Sequence, residues 1–113
     1  MIESCLFCRI VQGQLPVALI AENDYAVAFR DIHPQAPVHV LVVPRRHLSS
    51  LAEASDPLEL GAVCLLAAQV ARAEGIAETG YRTVMNTGRD GGQTVPHLHM
   101  HLLGGRSMEW PPG

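Results

Sequence analysis

The sequence predicts an α+β domain in which an antiparallel sheet is covered on one face by a single long helix. Five short segments have the composition of β-strands, and one helical segment lies between the third and the fourth of them. The chain has 113 residues, of which 48% are hydrophobic, so we expect one domain over residues 1–113. A core of this size is modest, and pairing with a second copy would help to stabilise it.

The N-terminal part predicts a short helix or turn followed by a β-hairpin. The helix is expected over Leu6–Gln12, and Gly13 ends it. Val17–Ala21 and Tyr25–Arg30 are strand-like, and the polar turn residues between them indicate a hairpin.

The remaining strands include the centre of the sheet. Val38–Pro44 is the most β-branched run in the chain and is apolar on both faces except at His39, which predicts a central strand. Tyr81–Asn86 is predicted to be the next strand and His97–Leu103 the last. A glycine-bearing loop, Thr87–Thr94, connects these two strands.

The long helix has clear start and stop signals. Asp56 can cap its first turn, Pro57 suits the first helical position, and Gly75 can end it in a left-handed conformation. Apolar residues recur with helical spacing on one stripe, namely Leu60, Val63, Cys64, Ala67, Val70 and Ala71. We therefore expect Cys64 to be a small core residue.

Composition argues against nucleic acid or membrane as a partner. The net charge is −3, so the chain offers no polycation to a nucleic-acid backbone. Glu3 lies early and no continuous apolar run follows it, which predicts neither a signal peptide nor a transmembrane helix. Three cysteines are an odd number that does not fit a secreted disulfide framework, so we expect the protein in the cytoplasm.

Three histidines alternate in the stretch TVPHLHMHLL. In a strand, His97, His99 and His101 would line one face, while Leu98 and Met100 would point into the helix-covered core. Such a row is open to three interpretations. It can be a set of solvent-facing side chains, a metal site, or a nucleophile with its supporting groups.

The loop before the histidines contains Gly91 and Gly92. The pair is either a plain turn or a backbone cradle whose N–H groups bind phosphate oxygens. Its position directly before three imidazoles favours the cradle, and this combination indicates chemistry at phosphorus.

A second motif, Cys5-Leu-Phe-Cys8, stands apart from the histidines. A C-x-x-C pair is half of a tetrahedral zinc site and needs two more ligands. The alternatives are a plain thiol pair and a thioredoxin-like redox motif, although no βαβ pattern surrounds it.

Several of these segments together resemble one known family. The stretch HLHMHLL is similar to the signature of the histidine triad (HIT) nucleotide-binding superfamily. The stretches DIHPQAPVHVLVVPRRH and GYRTVMNTGRDGGQTVPHLHMHLLGGR, with the ending WPPG, resemble its Hint branch in particular.

The resemblance implies a single HIT domain and a purine nucleoside phosphoramidase. Its fold would be a five-stranded antiparallel sheet with one long helix and a short N-terminal helix. Two copies would form a homodimer with a ten-stranded sheet. The enzyme would cleave the P–N bond of purine nucleoside 5′-phosphoramidates, of the AMP-amide or AMP-lysine type, through a nucleotidyl-histidine intermediate.

The resemblance also implies roles for individual residues. His99 would be the nucleophile, His101 would assist at the phosphate and leaving group, and His39 would orient the nucleophilic ring. No cofactor is expected for catalysis. The residues expected around the phosphate and leaving amine are Asn86, Gly92, Gln93 and Thr94. Asp31 would accept from the ribose hydroxyls.

The apolar residues expected to line the purine pocket could also be ordinary core residues. They are Phe7, Ile10, Phe29, Ile32 and Leu41. Trp110 falls in the family's C-terminal tail, which lies near the leaving group and often reaches toward the partner subunit. His33 departs from the family's pattern, and we expect its side chain to be exposed.

The resemblance completes a possible structural zinc site. Many bacterial members bind zinc through the cysteine pair and two histidines, whose positions here are His47 and His97 together with Cys5 and Cys8. Two other functions stay open at this point. One is a nucleotide-binding regulatory or interaction module with little turnover, and the other is a metallohydrolase that uses the three alternating histidines as ligands.

Overall fold

The computed structural model describes residues 2–113 and contains one five-stranded antiparallel sheet, two α-helices and one 3₁₀ turn. The elements in chain order are α1 (Leu6–Val11), β1 (Leu19–Glu22), β2 (Ala26–Arg30), β3 (Val38–Pro44), the 3₁₀ turn (Leu51–Glu53), α2 (Pro57–Ala73), β4 (Tyr81–Met85) and β5 (Met100–Gly104). The strand order is β1-β2-β3-β5-β4, so β3 is central. The predicted α+β class is confirmed.

The ends of α2 follow the signals in the sequence. The Asp56 side chain accepts a hydrogen bond from the backbone N–H of Leu58, and Pro57 occupies the first turn, where a missing N–H has no cost. At the other end Glu74 is the C-cap, and Gly75 has φ 76°, a left-handed conformation that a side chain would disfavour.

The buried stripe of α2 differs from the predicted one at Cys64, which is exposed. The buried apolar positions are Val63, Leu66, Ala67, Val70 and Ala71. Consecutive residues of a helix are separated by about 100° around its axis, so Cys64 is turned away from the sheet that its neighbour Val63 faces. Leu66, which the predicted stripe omitted, supplies that part of the core and is fully buried.

Both faces of the sheet are covered, which corrects the expectation of one covered face. Helix α2 packs on the first face, over a cluster that includes Val40, Val42 and Leu102. The short helix α1 packs on the second face, where Phe7 contacts the ring of Phe29 edge-on. This face also carries the histidines.

The last strand begins at Met100, so His97 and His99 precede the hydrogen-bonded ladder instead of lying within it. The backbone N–H of His97 bonds to the carbonyl of Val95, and that of Leu98 bonds to the carbonyl of Leu48 in the loop after β3. These two N–H groups therefore bond to loop carbonyls, and pairing with β3 starts only at Met100. Within residues 2–113, no helix is long and apolar enough to cross a membrane.

Candidate active site and metal centre

A cavity of about 310 Å³ opens on the second face of the sheet, beside α1. Most of the residues predicted for a nucleotide pocket line it, namely Phe7, Ile10, Phe29, Asp31, Ile32, Leu41, Thr94, His99 and His101. Ile32 is 83% exposed, which places it at the rim. The cavity is also lined by Leu6, Leu15, Val17 and Val95, which no pattern in the sequence distinguishes from other apolar residues.

Four of the predicted substrate residues lie elsewhere. The described lining of the cavity does not include Asn86, Gly92, Gln93 or Trp110. Trp110 is 82% exposed in the single chain. His33 is exposed, as expected, and lies at the edge of the cavity.

Gln93 holds the glycine loop to the rest of the molecule. Its amide nitrogen donates to the carbonyl of Ser49 at 2.6 Å and to that of Val95 at 3.0 Å, and its amide oxygen accepts from the backbone N–H of Gly88 at 3.0 Å. The side-chain amide is thus occupied by backbone groups, and a direct contact with a phosphate would require it to release them.

The glycine loop is closer to a plain turn than to an open phosphate cradle. Gly92 has φ 77°, but its N–H donates to the carbonyl of Arg89, and the N–H of Gln93 donates to that of Gly88. Gly91 is needed for space, because a Cβ there would stand 2.5 Å from the carbonyl oxygen of Thr87. The expectation that Gly91 and Gly92 expose successive N–H groups is therefore wrong at Gly92, whose N–H is already bonded.

His99 lines the cavity, and one of its ring nitrogens is bonded to the backbone. Its Nδ1 lies 2.7 Å from the carbonyl oxygen of His97, and a carbonyl only accepts, so Nδ1 carries the proton. Nε2 of the neutral ring is then unprotonated. The ring is buried and packs edge-on against Phe7, with centroids 5.1 Å apart.

A second chain of hydrogen bonds fixes His101. The backbone N–H of Gln35 donates to Nδ1 of His39 at 3.0 Å, so the proton of the His39 ring is on Nε2. That Nε2–H donates to Nδ1 of His101 at 2.9 Å, with Oδ2 of Asp31 at 3.5 Å from the same nitrogen. His101 therefore carries its proton on Nε2, where it is available to the cavity.

These contacts correct the role expected for His39. It was expected to orient the nucleophilic ring, but its hydrogen bond goes to His101, and the ring of His99 is oriented by the backbone carbonyl of His97. The backbone groups of Gln35 and His97 were missed, because a backbone donor or acceptor leaves no residue-type signal in a sequence.

Burial keeps the His39–His101 pair neutral near pH 7. The pKa of His101 is lowered to about 4, mainly by burial, with His99 and His39 acting in the same direction and Asp31 opposing them. The pKa of His39 is also lowered, by burial first, with Asp31 acting in the opposite direction. Neutral rings are what the chain of hydrogen bonds from Gln35 requires.

A separate cluster brings together Cys5, Cys8, His47 and His97, whose donor atoms all lie within 4.8 Å of one another. Nδ1 of His97 is 3.3 Å from Sγ of Cys5 and 3.5 Å from Sγ of Cys8. Nδ1 of His47 is 3.3 Å from Sγ of Cys8. These four residues could hold a metal ion.

The donor set fits a tetrahedral ion. Bonds of about 2.3 Å to sulfur and 2.0–2.1 Å to nitrogen place a sulfur and a nitrogen about 3.5 Å apart in a tetrahedron, close to the spacings above. Nε2 of His97 donates to the carbonyl of Pro44 at 2.9 Å, which leaves Nδ1 as the lone pair that faces the sulfurs. Burial lowers the pKa of His97 to about 4 and raises the pKa of the Cys5 thiol.

The three alternating histidines do not converge on one point. His97 belongs to the cysteine cluster, whereas His101 belongs to a cluster with Asp31 and His39. His99 lies between them, with its ring centroid 5.0 Å from that of His101. A single site with three histidine ligands, as a metallohydrolase would need, is not what this arrangement provides.

Comparisons with known proteins agree with this fold. A HIT domain model matches residues 12–108. An uncharacterized HIT-like protein of Synechococcus elongatus is 50% identical over 115 residues, and the match covers 100% of both proteins.

Among solved structures, a HIT family hydrolase from Legionella pneumophila is 46% identical with a TM-score of 0.93, and the match covers 97% of this chain and 100% of that one. A zinc-bound histidine triad family protein from Mycobacterium smegmatis is 31% identical with a TM-score of 0.81, over 91% of this chain and 76% of that one. The chain described here belongs to the HIT domain family.

Proposed function

We propose that this chain is a Hint-type hydrolase that cleaves the P–N bond of purine nucleoside 5′-phosphoramidates through a nucleotidyl-histidine intermediate. The observation that carries the proposal is the orientation of His99. Its Nδ1–H is held by the carbonyl of His97, so Nε2 is the unprotonated nitrogen of a ring that lines the cavity.

In the first step, Nε2 of His99 donates its electron pair to the α-phosphorus. The P–N bond breaks, and its electron pair leaves with the nitrogen, which takes up a proton from water. The Nε2–H of His101 is the donor on this side of the cavity and serves the leaving group or the phosphoryl oxygens. The imidazolium formed at His99 keeps its Nδ1–H on the carbonyl of His97, which stabilises the positive charge.

In the second step, water attacks the phosphorus and loses a proton, and the bond between phosphorus and Nε2 of His99 breaks. The nucleoside monophosphate is released and His99 returns to its starting tautomer. The proton that the water loses replaces the one that the leaving nitrogen took up in the first step.

Substrate binding divides along the cavity. Phe7, Ile10, Phe29 and Leu41 supply an apolar lining that suits a purine ring, and Asp31 would accept from the ribose. The Oδ1 atom of Asp31 already accepts from the backbone N–H of His33, so we assign the ribose contact to Oδ2.

We propose that the protein acts as a homodimer with a ten-stranded sheet joined through β4. The sheet has two edges, β1 and β4. The pairing of β1 is irregular between Leu19 and Ala21, whereas β4 pairs regularly with β5 over Tyr81–Met85, so β4 is the better edge for continuing the sheet. The exposed Trp110 would then approach the partner's leaving-group side.

We assign the cysteine cluster to a structural zinc ion. Cys5, Cys8, His47 and His97 would hold it, and when bound it would join α1 to the loop after β3 and to the segment before β5. All four protein ligands are used, so no position stays open for substrate or water. The chemistry at phosphorus belongs to His99 and His101.

The proposal is tested by measuring hydrolysis of AMP-amide and AMP-lysine with and without a chelator. We expect chelator-insensitive chemistry on the time scale of the assay. His99→Asn should lower kcat by at least roughly 10³-fold and still bind AMP. His33→Asn is the matched control, since that histidine is exposed, and it should keep its turnover.

Other outcomes select the other functions. A wild-type protein that binds AMP but hydrolyses neither compound is a binding module. Complete loss of activity in protein that is stripped of metal but still folded supports a metallohydrolase, whereas loss of metal from the cysteine centre should leave part of the turnover. Intact-mass spectra of wild-type protein quenched during turnover should show a nucleotidyl adduct that His99→Asn lacks.

A further inference from the structure

We infer that the Cys5–Cys8–His47–His97 centre positions the nucleophile and that His97 is the positioning residue that links them. The inference rests on the proposed function for the role of His99, but the geometry that carries it is independent of the substrate. It gives this metal centre a part in activity beyond holding the fold together.

The segment that carries the nucleophile is not held by the sheet. Strand β5 begins at Met100, so the backbone of His97 and His99 lies outside its ladder of hydrogen bonds. Two backbone bonds to loop residues support this segment, from His97 to the carbonyl of Val95 and from Leu98 to that of Leu48. Further constraint has to come from side chains.

His97 supplies that constraint through its two ring nitrogens and its backbone carbonyl. Nδ1 faces the two cysteine sulfurs at 3.3 and 3.5 Å. Nε2–H donates to the carbonyl of Pro44, the last residue of β3, at 2.9 Å. The backbone carbonyl accepts from Nδ1–H of His99 at 2.7 Å. The side chain is fully buried, so it has no freedom to turn away.

A second path reaches the same ring from α1. Phe7 stands between the two cysteines in the sequence, and its ring packs edge-on against His97 at 5.9 Å and against His99 at 5.1 Å between centroids. Fixing Cys5 and Cys8 therefore fixes Phe7. The centre controls two sides of the nucleophilic ring, one through a carbonyl and one through an aromatic edge.

A bound ion would change how firmly these groups are held. Without it, the lone pair on Nδ1 of His97 can accept from only one thiol at a time, although two sulfurs face it. With an ion, all four donors are tied at fixed bond lengths. The ring position of His97 sets the direction of its carbonyl, and that carbonyl selects the Nδ1–H tautomer of His99.

The direct readout is the tautomer of His99, measured by ¹⁵N NMR of histidine-labelled protein without substrate. Zinc-loaded protein should show His99 protonated at Nδ1 alone. Protein stripped of metal should show a mixture of the two tautomers. Because no substrate is present, this readout survives even if the chain turns out not to hydrolyse phosphoramidates.

The kinetic readout is a split between kcat and KM. Stripping the metal, or the substitution Cys8→Ser, should lower kcat for AMP-amide by roughly 10–100-fold and change KM little. Cys64→Ser is the matched control, because that cysteine is exposed and distant from the centre in the fold, and it should change neither value. Cys8→Asp, which offers zinc a carboxylate ligand, should recover part of the loss.

Metal is added at one equivalent, because Asp31, His39 and His101 also form a group that could hold an ion, and an ion there would interfere with catalysis directly. Far-UV circular dichroism checks that the stripped protein is folded. A folded, stripped protein with unchanged kcat and a pure Nδ1–H tautomer at His99 would overturn the inference.

If the stripped protein unfolds, the comparison is made between zinc-loaded and cadmium-loaded wild type, both of which retain the ion. The larger ion moves Nδ1 of His97, so we expect kcat to change while KM does not. Equal kcat values and identical ¹⁵N shifts of His99 in the two forms would count against a positioning role.

Discussion

The two faces of the sheet are built from the same strands, but one face is packed as an apolar core and the other carries the histidines and the cavity. On β3, Val40 and Val42 face α2 and belong to an entirely apolar cluster. The alternate residues lie on the other face, where Leu41 and Val43 pack with α1 and His39 bonds to His101. Neighbouring residues of β3 therefore face opposite sides of the sheet, so a shift of one residue would exchange the packing side with the side that carries the histidines.

The difference shows in how polar groups are treated. The α2 face buries no histidine in its cluster, and its stability comes from the removal of apolar surface from water. The α1 face buries His39, His97 and His99, each with a specified hydrogen-bond partner. Among the described residues, no buried side-chain nitrogen or oxygen lacks a partner. Substitutions on the α1 face should therefore lower kcat, whereas those on the α2 face should lower the free energy of unfolding.

The largest effect is expected on the chemical face. His101→Gln removes the Nε2–H donor and the acceptor of the His39 bond, so kcat should fall roughly 10²–10⁴-fold while the protein stays folded. Steady-state kinetics with AMP-amide measure it. His33→Gln, on an exposed histidine at the cavity edge, should stay near wild type. An equal loss in both variants would show that the effect is not specific to His101.

The next effect belongs to the packing face. Leu66→Ala removes a fully buried side chain between α2 and the sheet, so the free energy of unfolding should fall by about 2–5 kcal/mol. Leu65→Ala, one residue earlier and 71% exposed, should change it by less than about 0.5 kcal/mol. Urea titrations measure both. The kcat of folded Leu66→Ala should match wild type, and a selective loss of kcat would break the division between the faces.

The pH dependence of stability sharpens the comparison. The folded-state pKa of His101 is about 4 against an ordinary value of 6.5, so between these values the unfolded chain binds the proton and the folded chain does not. The stability that the neutral ring contributes is present above about pH 6.5 and is lost as the pH falls toward 4. Unfolding free energies from pH 7 to pH 4 should fall more steeply for wild type than for His101→Gln. Parallel curves would contradict this assignment.

The smallest effect is expected at the outer side of α2. Cys64→Ser should change the free energy of unfolding by less than about 0.5 kcal/mol, because the side chain is exposed. Thermal or urea unfolding measures it. A loss of more than 1–2 kcal/mol, in the range of buried substitutions, would mean that this side of the helix is covered in solution.

Much of the fold was readable from local patterns. The bounds predicted for the central strand, Val38–Pro44, agree with those of β3. The predicted cap Asp56 and terminal Gly75 bound α2. These features depend on nearest neighbours in the chain, which set propensity, capping and the period of two in a strand. The predicted start of β5 at His97 is too early, because the N–H groups of His97 and Leu98 donate to loop carbonyls that no local pattern shows.

The sequence by itself determined which residues could do chemistry, through alternating histidines, a cysteine pair and one more histidine on the central strand. Tertiary structure alone decided what each ring does. His97 faces Cys5 from 92 positions away, His39 bonds to His101 across 62, and a backbone carbonyl directs His99. The choice between two ring nitrogens depends on the single partner that each one meets. That partner is fixed only when distant segments pack together.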